Sequence, residues 1–219
     1  MSIGMVLLTV TAILVFFGAA QRVLDKLYLS DRAALVLIAM MFFGTLLPNL
    51  NFGSVQVSLG GAVIPLGICI YLLIRAGTAK ERMRAIIGSV LTAGIIYAIS
   101  SMMPEEPEAI IIDPIYLYGL TGGLIAYILG RSRRGAFICG VLGVMLADAV
   151  VAIVNWNNGI RQTLTLGGAG VFDAIVISGI LGVLLAELLG EILERITRGR
   201  ERPVVSQIRT PVRHKEKVK

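Results

Sequence analysis

Charged residues are scarce in this sequence. Asp, Glu, Lys and Arg make up 16% of the 219 residues, against about 25% in soluble domains. Hydrophobic residues reach 56%, and the mean hydropathy is +0.85. The composition therefore excludes an ordinary soluble domain and indicates an integral membrane protein.

Histidine, lysine and cysteine are few, and none lies at a position that suggests a metal-binding or catalytic side chain. His214, the single histidine, lies in the basic C-terminal segment, which excludes His-based metal sites and an intramembrane Ser–His dyad. All five lysines lie in predicted loops or in this segment, so no lysine is placed for a membrane-embedded Schiff base. Cys69 and Cys139 fall inside apolar runs, where burial as small hydrophobic side chains is expected. We expect no metal, no cofactor and no disulfide.

Apolar runs long enough to cross about 30 Å of hydrocarbon as helices recur along the chain. They predict an all-α membrane helix bundle of seven spans in residues 1–198, followed by a basic, disordered cytoplasmic tail, 199–219. The predicted spans are Ile3–Ala20, Ala33–Leu47, Gly60–Ile74, Ala85–Ser100, Ile110–Gly130, Gly135–Val154 and Val171–Leu189.

The region around the start of span three departs from a plain helical pattern. Residues Val55–Leu59 alternate as in a short strand, which we expect at the outer membrane interface. Span three then begins Gly60-Gly61-Ala62 and contains Pro65. Its first turn is therefore expected to be irregular, either as a partly re-entrant segment or through packing of its small residues against a neighbour.

Basic residues are distributed very unevenly between the two predicted sides. Nineteen of the 20 Lys and Arg residues fall on one side, and Arg161 alone falls on the other. The positive-inside rule then predicts an external N-terminus and a cytoplasmic C-terminus. The lipid bilayer is the expected surrounding partner, and nucleic acid is not expected as one.

Two aspartates, Asp148 and Asp173, lie within the apolar runs of spans six and seven. A carboxylate in hydrocarbon is costly enough to indicate a function. Asp148 precedes Asn155 by seven residues, or about 10 Å of helix, and Asp173 follows Gly170 by three, or about 5 Å. Because the two spans are consecutive and antiparallel, we expect both carboxylates within about one helical turn in depth, in the outer half of the membrane.

Small residues mark the predicted packing sides of the same two spans. Their helical spacing places them in stripes that allow close helix approach, and the aspartates fall outside these stripes. The stripe residues are Ala136, Gly140, Gly143 and Ala147 on span six, and Gly179, Gly182, Ala186 and Gly190 on span seven.

Several functions are compatible with the two aspartates. Neighbouring carboxylates in a low dielectric cannot both ionise, so one could act as base toward water and the other as acid, as in an intramembrane aspartyl protease-like hydrolase. The alternative is a proton- or cation-coupled small-solute transporter, with Glu187 as a proton relay. Two non-catalytic alternatives also remain open. The protein could be a membrane scaffold, and each aspartate could hydrogen-bond a neighbouring helix or cap a broken helix.

Four further residues have supporting roles in the protease hypothesis. Asp113 or Asn155 would orient the two catalytic carboxylates, and Gly168 and Gly170 would let a substrate backbone approach. Asp113 precedes Pro114, which also fits an acidic N-cap followed by proline at the first helical position. The expected substrates are single-span membrane proteins.

The segment Gly167–Asp173 resembles the glycine–aspartate signature of the presenilin and signal-peptide-peptidase group. In these intramembrane aspartyl proteases one catalytic aspartate lies on the sixth span, and the other follows a G-x-G sequence at the start of the seventh. The resemblance implies that Asp148 and Asp173 are the catalytic pair. Val171 and Phe172 separate the glycines from Asp173 here, whereas the family's aspartate follows directly.

Over nearly its whole length the chain resembles a prokaryotic membrane family described as domain of unknown function 1614. The segments that carry this resemblance are Val57–Pro65, Arg131–Asp148 and Gly167–Glu191. It implies a multi-pass protein of a bacterial or archaeal cytoplasmic membrane, and it implies no particular activity.

Overall fold

The computed structural model describes residues 13, 16–18, 20–25, 27, 29, 31–102, 114–130 and 132–198, and most of these are helical. The helices are α1 (Asp31–Thr45), α2 (Ile64–Ile74), α3 (Ala79–Met102), α4 (Pro114–Gly130), α5 (Arg133–Asn157) and α6 (Ala174–Arg198). The same residues also form strands β1 (Leu50–Phe52), β2 (Val55–Val57) and β3 (Leu164–Leu166), a π-helix (Leu59–Val63) and a 3₁₀ helix (Gly170–Phe172).

Within this described part, α3, α5 and residues Ala174–Ile196 of α6 are the three helices long and apolar enough to cross a membrane. The 24 residues of α3 extend about 36 Å, which exceeds the hydrocarbon thickness. Shorter apolar helices occupy Arg32–Thr45, Leu59–Ile74 and Tyr116–Gly130. The helical class and the membrane-compatible character are confirmed. Most of the first predicted span and the whole predicted tail lie outside the described residues.

The helices α3, α4, α5 and α6 pack together as a bundle in which α5 contacts all three others. Glycines allow the closest approaches, as the small-residue stripes predict. A Cβ built at Gly140 of α5 would lie 2.6 Å from the carbonyl oxygen of Ser178 in α6, and one at Gly143 would lie 2.5 Å from Thr92 Cγ2 in α3. The hydroxyl of Ser178 donates a hydrogen bond to the Gly140 carbonyl at 3.0 Å. On α6 the close contacts of the small-residue stripe end before Gly190, where a Cβ would have no atom within 4 Å.

One end of this bundle carries a small three-stranded sheet, and we call it the sheet end. The strand order is β1-β2-β3, with β1 and β2 antiparallel and β2 and β3 parallel. Val55 pairs with Leu164 and Val57 pairs with Leu166 in the parallel register. The strand predicted in Val55–Leu59 is therefore confirmed over Val55–Val57. Strand β3 was not predicted.

The π-helix confirms the irregular first turn predicted for span three. The Ser58 hydroxyl accepts a hydrogen bond from the backbone N–H of Gly61 at its start, and Pro65 lies in the first turn of the α2 helix that follows. Gly60 packs against the backbone of Met41 in α1, and Gly61 packs against the carbonyl oxygen of Gly167. The small-residue alternative is thus also confirmed, because these glycines bring three chain segments into backbone contact.

The opposite end of the bundle carries most of the described basic side chains, and we call it the basic end. It contains the amino ends of α3 and α5 and the carboxyl ends of α2 and α4. The hydroxyl of Thr78 accepts the Glu81 N–H at 3.2 Å, and that of Ser132 accepts the Gly135 N–H at 3.1 Å. Both long helices therefore begin at side-chain caps.

Candidate functional site

Asp148 lies on α5, nine residues before the helix ends at Asn157. Its side chain is partly buried at the edge of the bundle interior, next to fully buried Ala147. Among the described residues, its carboxyl group has no hydrogen bond and no ion pair. A partly buried carboxylate normally has such a partner, and its absence marks Asp148 as a candidate functional residue.

Asp173 lies at the N-cap of α6, one residue before the helix begins. Its backbone is extended, with φ −68° and ψ 151°. Oδ1 accepts the backbone N–H of Ile175 at 3.0 Å, and Oδ2 accepts that of Ala169 at 3.2 Å. A carboxylate at this position satisfies free N–H groups and interacts favourably with the helix dipole.

The position of Asp173 corrects the boundary predicted for span seven. The prediction began the helix at Val171, whereas Val171 lies in the 3₁₀ helix and α6 begins at Ala174. Gly170, with φ +63°, turns the chain at the first residue of the 3₁₀ helix, and the extended Asp173 separates that helix from α6. Asp173 is therefore the residue that caps α6, and its carbonyl accepts the N–H of Ile177 at 3.0 Å.

The two carboxyl groups are close enough for direct electrostatic interaction. This agrees with the expectation that the two side chains lie near each other on consecutive antiparallel helices, and their depth in a membrane stays a prediction. No hydrogen bond joins the two side chains in the described structure, and both oxygens of Asp173 accept backbone N–H groups. The site thus contains one carboxylate held in a helix cap and one without a bonded partner.

Glycines fold the loop before Asp173 tightly against two other segments. Gly170 packs against Thr45 at the end of α1, where a Cβ would lie 2.5 Å from Thr45 Oγ1. A Cβ at Gly61 would lie 2.7 Å from the Gly170 carbonyl oxygen. A Cβ at Gly168 would lie 2.8 Å from Thr165 Cγ2. The close neighbours of Gly168 and Gly170 are therefore atoms of this chain, and a substrate role for these glycines stays a prediction.

The remaining predicted site residues lie at different distances from the pair. Asn155 is partly buried two helical turns after Asp148 on α5, and its carbonyl accepts the N–H of Ile160 at 2.9 Å. Glu187 is partly buried on α6, 14 residues and about 21 Å beyond Asp173. Asp113 lies outside the described residues, and its capping and orienting roles stay predictions; α4 is described from Pro114 onward.

The sequence interpretation missed Thr45 and β3, which position the site. Thr45 Oγ1 donates to the carbonyl of Met41 at 2.8 Å, and the side chain contacts Gly60 and Gly170. Strand β3 holds the loop between α5 and α6 against β2. The alternation of Leu164, Thr165 and Leu166 was a detectable signal for the strand, whereas nothing in the local sequence indicated a role for Thr45.

Both cysteines are buried and free, as predicted for Cys69 and Cys139. In the described part of the chain, no three His, Cys, Asp or Glu side chains cluster in a way that could hold a metal ion.

These features define a helical, membrane-compatible protein with an acidic pair at one end of its bundle. The chain belongs to the family described as protein of unknown function, DUF1614, whose model matches residues 32–185. The matched region contains both aspartates and ends two residues before Glu187. No curated protein and no solved structure matches the chain. The resemblance to intramembrane aspartyl proteases finds no support in these comparisons.

Proposed function

We propose that this protein is a seven-span membrane protein that couples binding of a proton or a monovalent cation at Asp148 to the movement of a small solute. In this proposal the N-terminus is outside, the tail is cytoplasmic, and the sheet end faces outward. Three described helices of membrane-crossing length and the uneven distribution of Lys and Arg support the topology.

The observation that carries the proposal is the difference between the two carboxyl groups. Asp173 is held by two backbone N–H donors as a helix cap. Asp148 lies within electrostatic range and has no bonded partner among the described residues. A second negative charge there needs neutralisation, and a bound proton or cation supplies it reversibly.

The same difference makes a protease a less suitable function for this geometry. In an aspartyl dyad both carboxyl groups exchange protons with one water molecule and with the substrate. Here both oxygens of Asp173 already accept backbone N–H groups of the chain itself, so this carboxyl group is engaged in the cap of α6. The protease hypothesis stays a prediction that the following experiment also tests.

The test uses purified full-length protein in vesicles that contain a pH-sensitive dye or, in parallel samples, a dye sensitive to Na⁺ or K⁺. Gradients of Na⁺, K⁺ and a panel of small solutes are imposed one at a time. We expect one of them to drive movement of a proton or a cation in the wild type and none to do so in Asp148→Asn. Glu191→Gln is the matched control, because Glu191 is an exposed carboxylate of α6 paired with Arg195. It is expected to retain wild-type flux.

The same preparations are then incubated with single-span peptides. Cleavage by the wild type that is lost in both Asp148→Asn and Asp173→Asn would replace the transport proposal with the protease. Absence of flux under every gradient, or equal flux in the wild type and Asp148→Asn, would refute the coupling role of Asp148.

A further inference from the structure

A cavity of about 300 Å³ opens at the basic end, between α3, α4 and the start of α5. Its polar lining consists of Thr78, Lys80, Glu81, Arg84 and Ser132. The cavity lies at the opposite end of the bundle from the two aspartates. Its volume is at the lower limit of small-molecule sites, which occupy about 300–1,000 Å³.

The basic side chains around this cavity fall into two groups. Arg82 donates from Nε to the carbonyl of Leu73 at 3.0 Å, and Arg134 donates to the carbonyl of Arg75 at 3.3 Å. Both therefore satisfy carbonyl groups at the carboxyl end of α2. Lys80 and Arg84 line the cavity instead, and neither forms a hydrogen bond or ion pair with the described residues.

Glu81, the acidic residue in the lining, already has a hydrogen-bond partner. Glu81 Oε1 accepts a hydrogen bond from the hydroxyl of Ser132 at 2.9 Å. Glu81 also lies in the first turn of α3, where the helix dipole favours a negative charge. The cations Lys80 and Arg84 thus leave the cavity with an excess of positive charge.

Apolar residues form the remainder of the wall. Ala85, Ala126 and Leu129 line the cavity on the side toward the middle of the bundle. Met83 and Ile128 are exposed on the neighbouring surfaces of α3 and α4. The site therefore combines two cations at the end of the bundle with an apolar surface that continues along the helices.

We propose that this cavity binds a phosphate-bearing group through Lys80 and Arg84. Arginine recognises phosphate oxygens through paired N–H donors, and lysine adds a second charge. The source is an anionic lipid headgroup or a soluble phosphate, and the apolar wall matches the glycerol and upper acyl region of a lipid. Basic pockets between membrane helices bind lipid headgroups in this way.

The experiment measures ligand binding by native mass spectrometry of the full chain in a neutral detergent. The probes are short-chain phosphatidylglycerol, short-chain phosphatidylcholine and inorganic phosphate. Phosphatidylglycerol is expected to bind the wild type more tightly than phosphatidylcholine does. Arg84→Gln should weaken that binding about tenfold, the usual effect of losing a charged hydrogen-bond donor. Lys80→Gln should weaken it by a smaller factor.

Arg133→Gln is the matched control, because it removes one exposed positive charge from the same end without altering the cavity lining. It is expected to bind like the wild type. Arg84→Lys keeps the charge and should restore part of the affinity, which separates lost binding from misfolding.

The probes also separate the two sources. Tight binding of phosphatidylglycerol with no effect of inorganic phosphate identifies a lipid headgroup. Binding of inorganic phosphate with the same dependence on Arg84 identifies a soluble ligand, and both results support the phosphate site. No binding of any probe, or an equal loss in Arg133→Gln and Arg84→Gln, would overturn it.

Discussion

The sheet end and the basic end of the bundle carry functional side chains of opposite charge. At each end, some charged side chains form hydrogen bonds at a helix end, and others have no bonded partner among the described residues. At the sheet end, Asp173 caps the amino end of α6, and Asp148 has no bonded partner among the described residues. At the basic end, Arg82 and Arg134 satisfy carbonyls at the carboxyl end of α2. Lys80 and Arg84 line a cavity there and have no such partners in the described part of the chain.

This comparison shows that the presence of a charge in an apolar sequence does not establish its role. A charge that satisfies a helix end is explained by structure alone. A charge without a bonded partner is the better candidate for binding something outside the chain. The functional proposals therefore depend on Asp148, Lys80 and Arg84. Hydrogen bonding at helix ends is sufficient to explain the positions of Asp173, Arg82 and Arg134.

The largest effect is expected at Asp148. Dicyclohexylcarbodiimide reacts with carboxyl groups in apolar surroundings, so we expect it to modify Asp148 and to leave the capping Asp173 largely unmodified. Asp148→Asn should remove the main site of modification, as mapped by peptide mass spectrometry. Equal modification of both aspartates would remove the proposed distinction between them. Protection by Na⁺ would identify a cation site, and protection by high pH alone would identify a proton site.

The next largest effect is expected from Gly61→Ala at the sheet end. The added Cβ would lie 2.7 Å from the Gly170 carbonyl oxygen and would also contact Gly167, and neither backbone can move freely. Overpacking of this kind costs about 1–3 kcal/mol. Thermal unfolding in detergent should show the loss. Gly94→Ala on α3 is the control, because its Cβ would meet no atom within 4 Å, and no loss is expected there.

A smaller effect is expected from removing the cap of α6. Asp173→Ala deletes both acceptors for the N–H groups of Ala169 and Ile175, which costs about 1 kcal/mol for an N-cap residue. Asp173→Asn keeps a capping oxygen and removes the charge, so its unfolding midpoint should stay near that of the wild type. If Asp173→Asn proved as unstable as Asp173→Ala, the charge and not the cap would explain the effect.

The smallest effect is expected at the basic end. Arg82→Gln removes an exposed hydrogen bond to the Leu73 carbonyl, so it should lower the unfolding midpoint less than Asp173→Ala does. Lys80→Gln removes a side chain that has no bonded partner within the described ranges, and it should leave the midpoint unchanged. A larger loss in Lys80→Gln than in Arg82→Gln would contradict the division of basic side chains into capping and cavity-lining groups.

Hydrophobicity and small-residue spacing were enough to predict the helices and much of their packing. Runs around Ala85–Ser100 and Gly135–Val154 correspond to α3 and α5, because long apolar segments have few alternatives to a helix in a membrane. The glycines at positions 140, 143, 179 and 182 are buried between helices as their spacing predicts. Helix ends were less predictable: α3 begins six residues before the predicted span, where polar residues continue the helix beyond the apolar run.

The candidate site was only partly predictable. The two aspartates were identifiable because carboxylates are rare in apolar runs, and their similar depth followed from consecutive antiparallel spans. The capping role of Asp173 depends on the positive φ of Gly170 and on the 3₁₀ helix that begins with this residue. Those features depend on contacts with Thr45 and Gly61, more than a hundred residues earlier in the chain. Such long-range contacts have no local sequence pattern.

The parallel pairing of β2 with β3 also affects the order of folding. Val57 finds its partner Leu166 only 109 residues later, after α2, α3, α4 and α5 have been synthesised. Non-local strand pairing of this kind forms slowly because a long loop must close first. The hairpin of β1 and β2 therefore keeps an unpaired strand edge until β3 has been synthesised. Closure of the sheet is expected to be among the last steps of assembly.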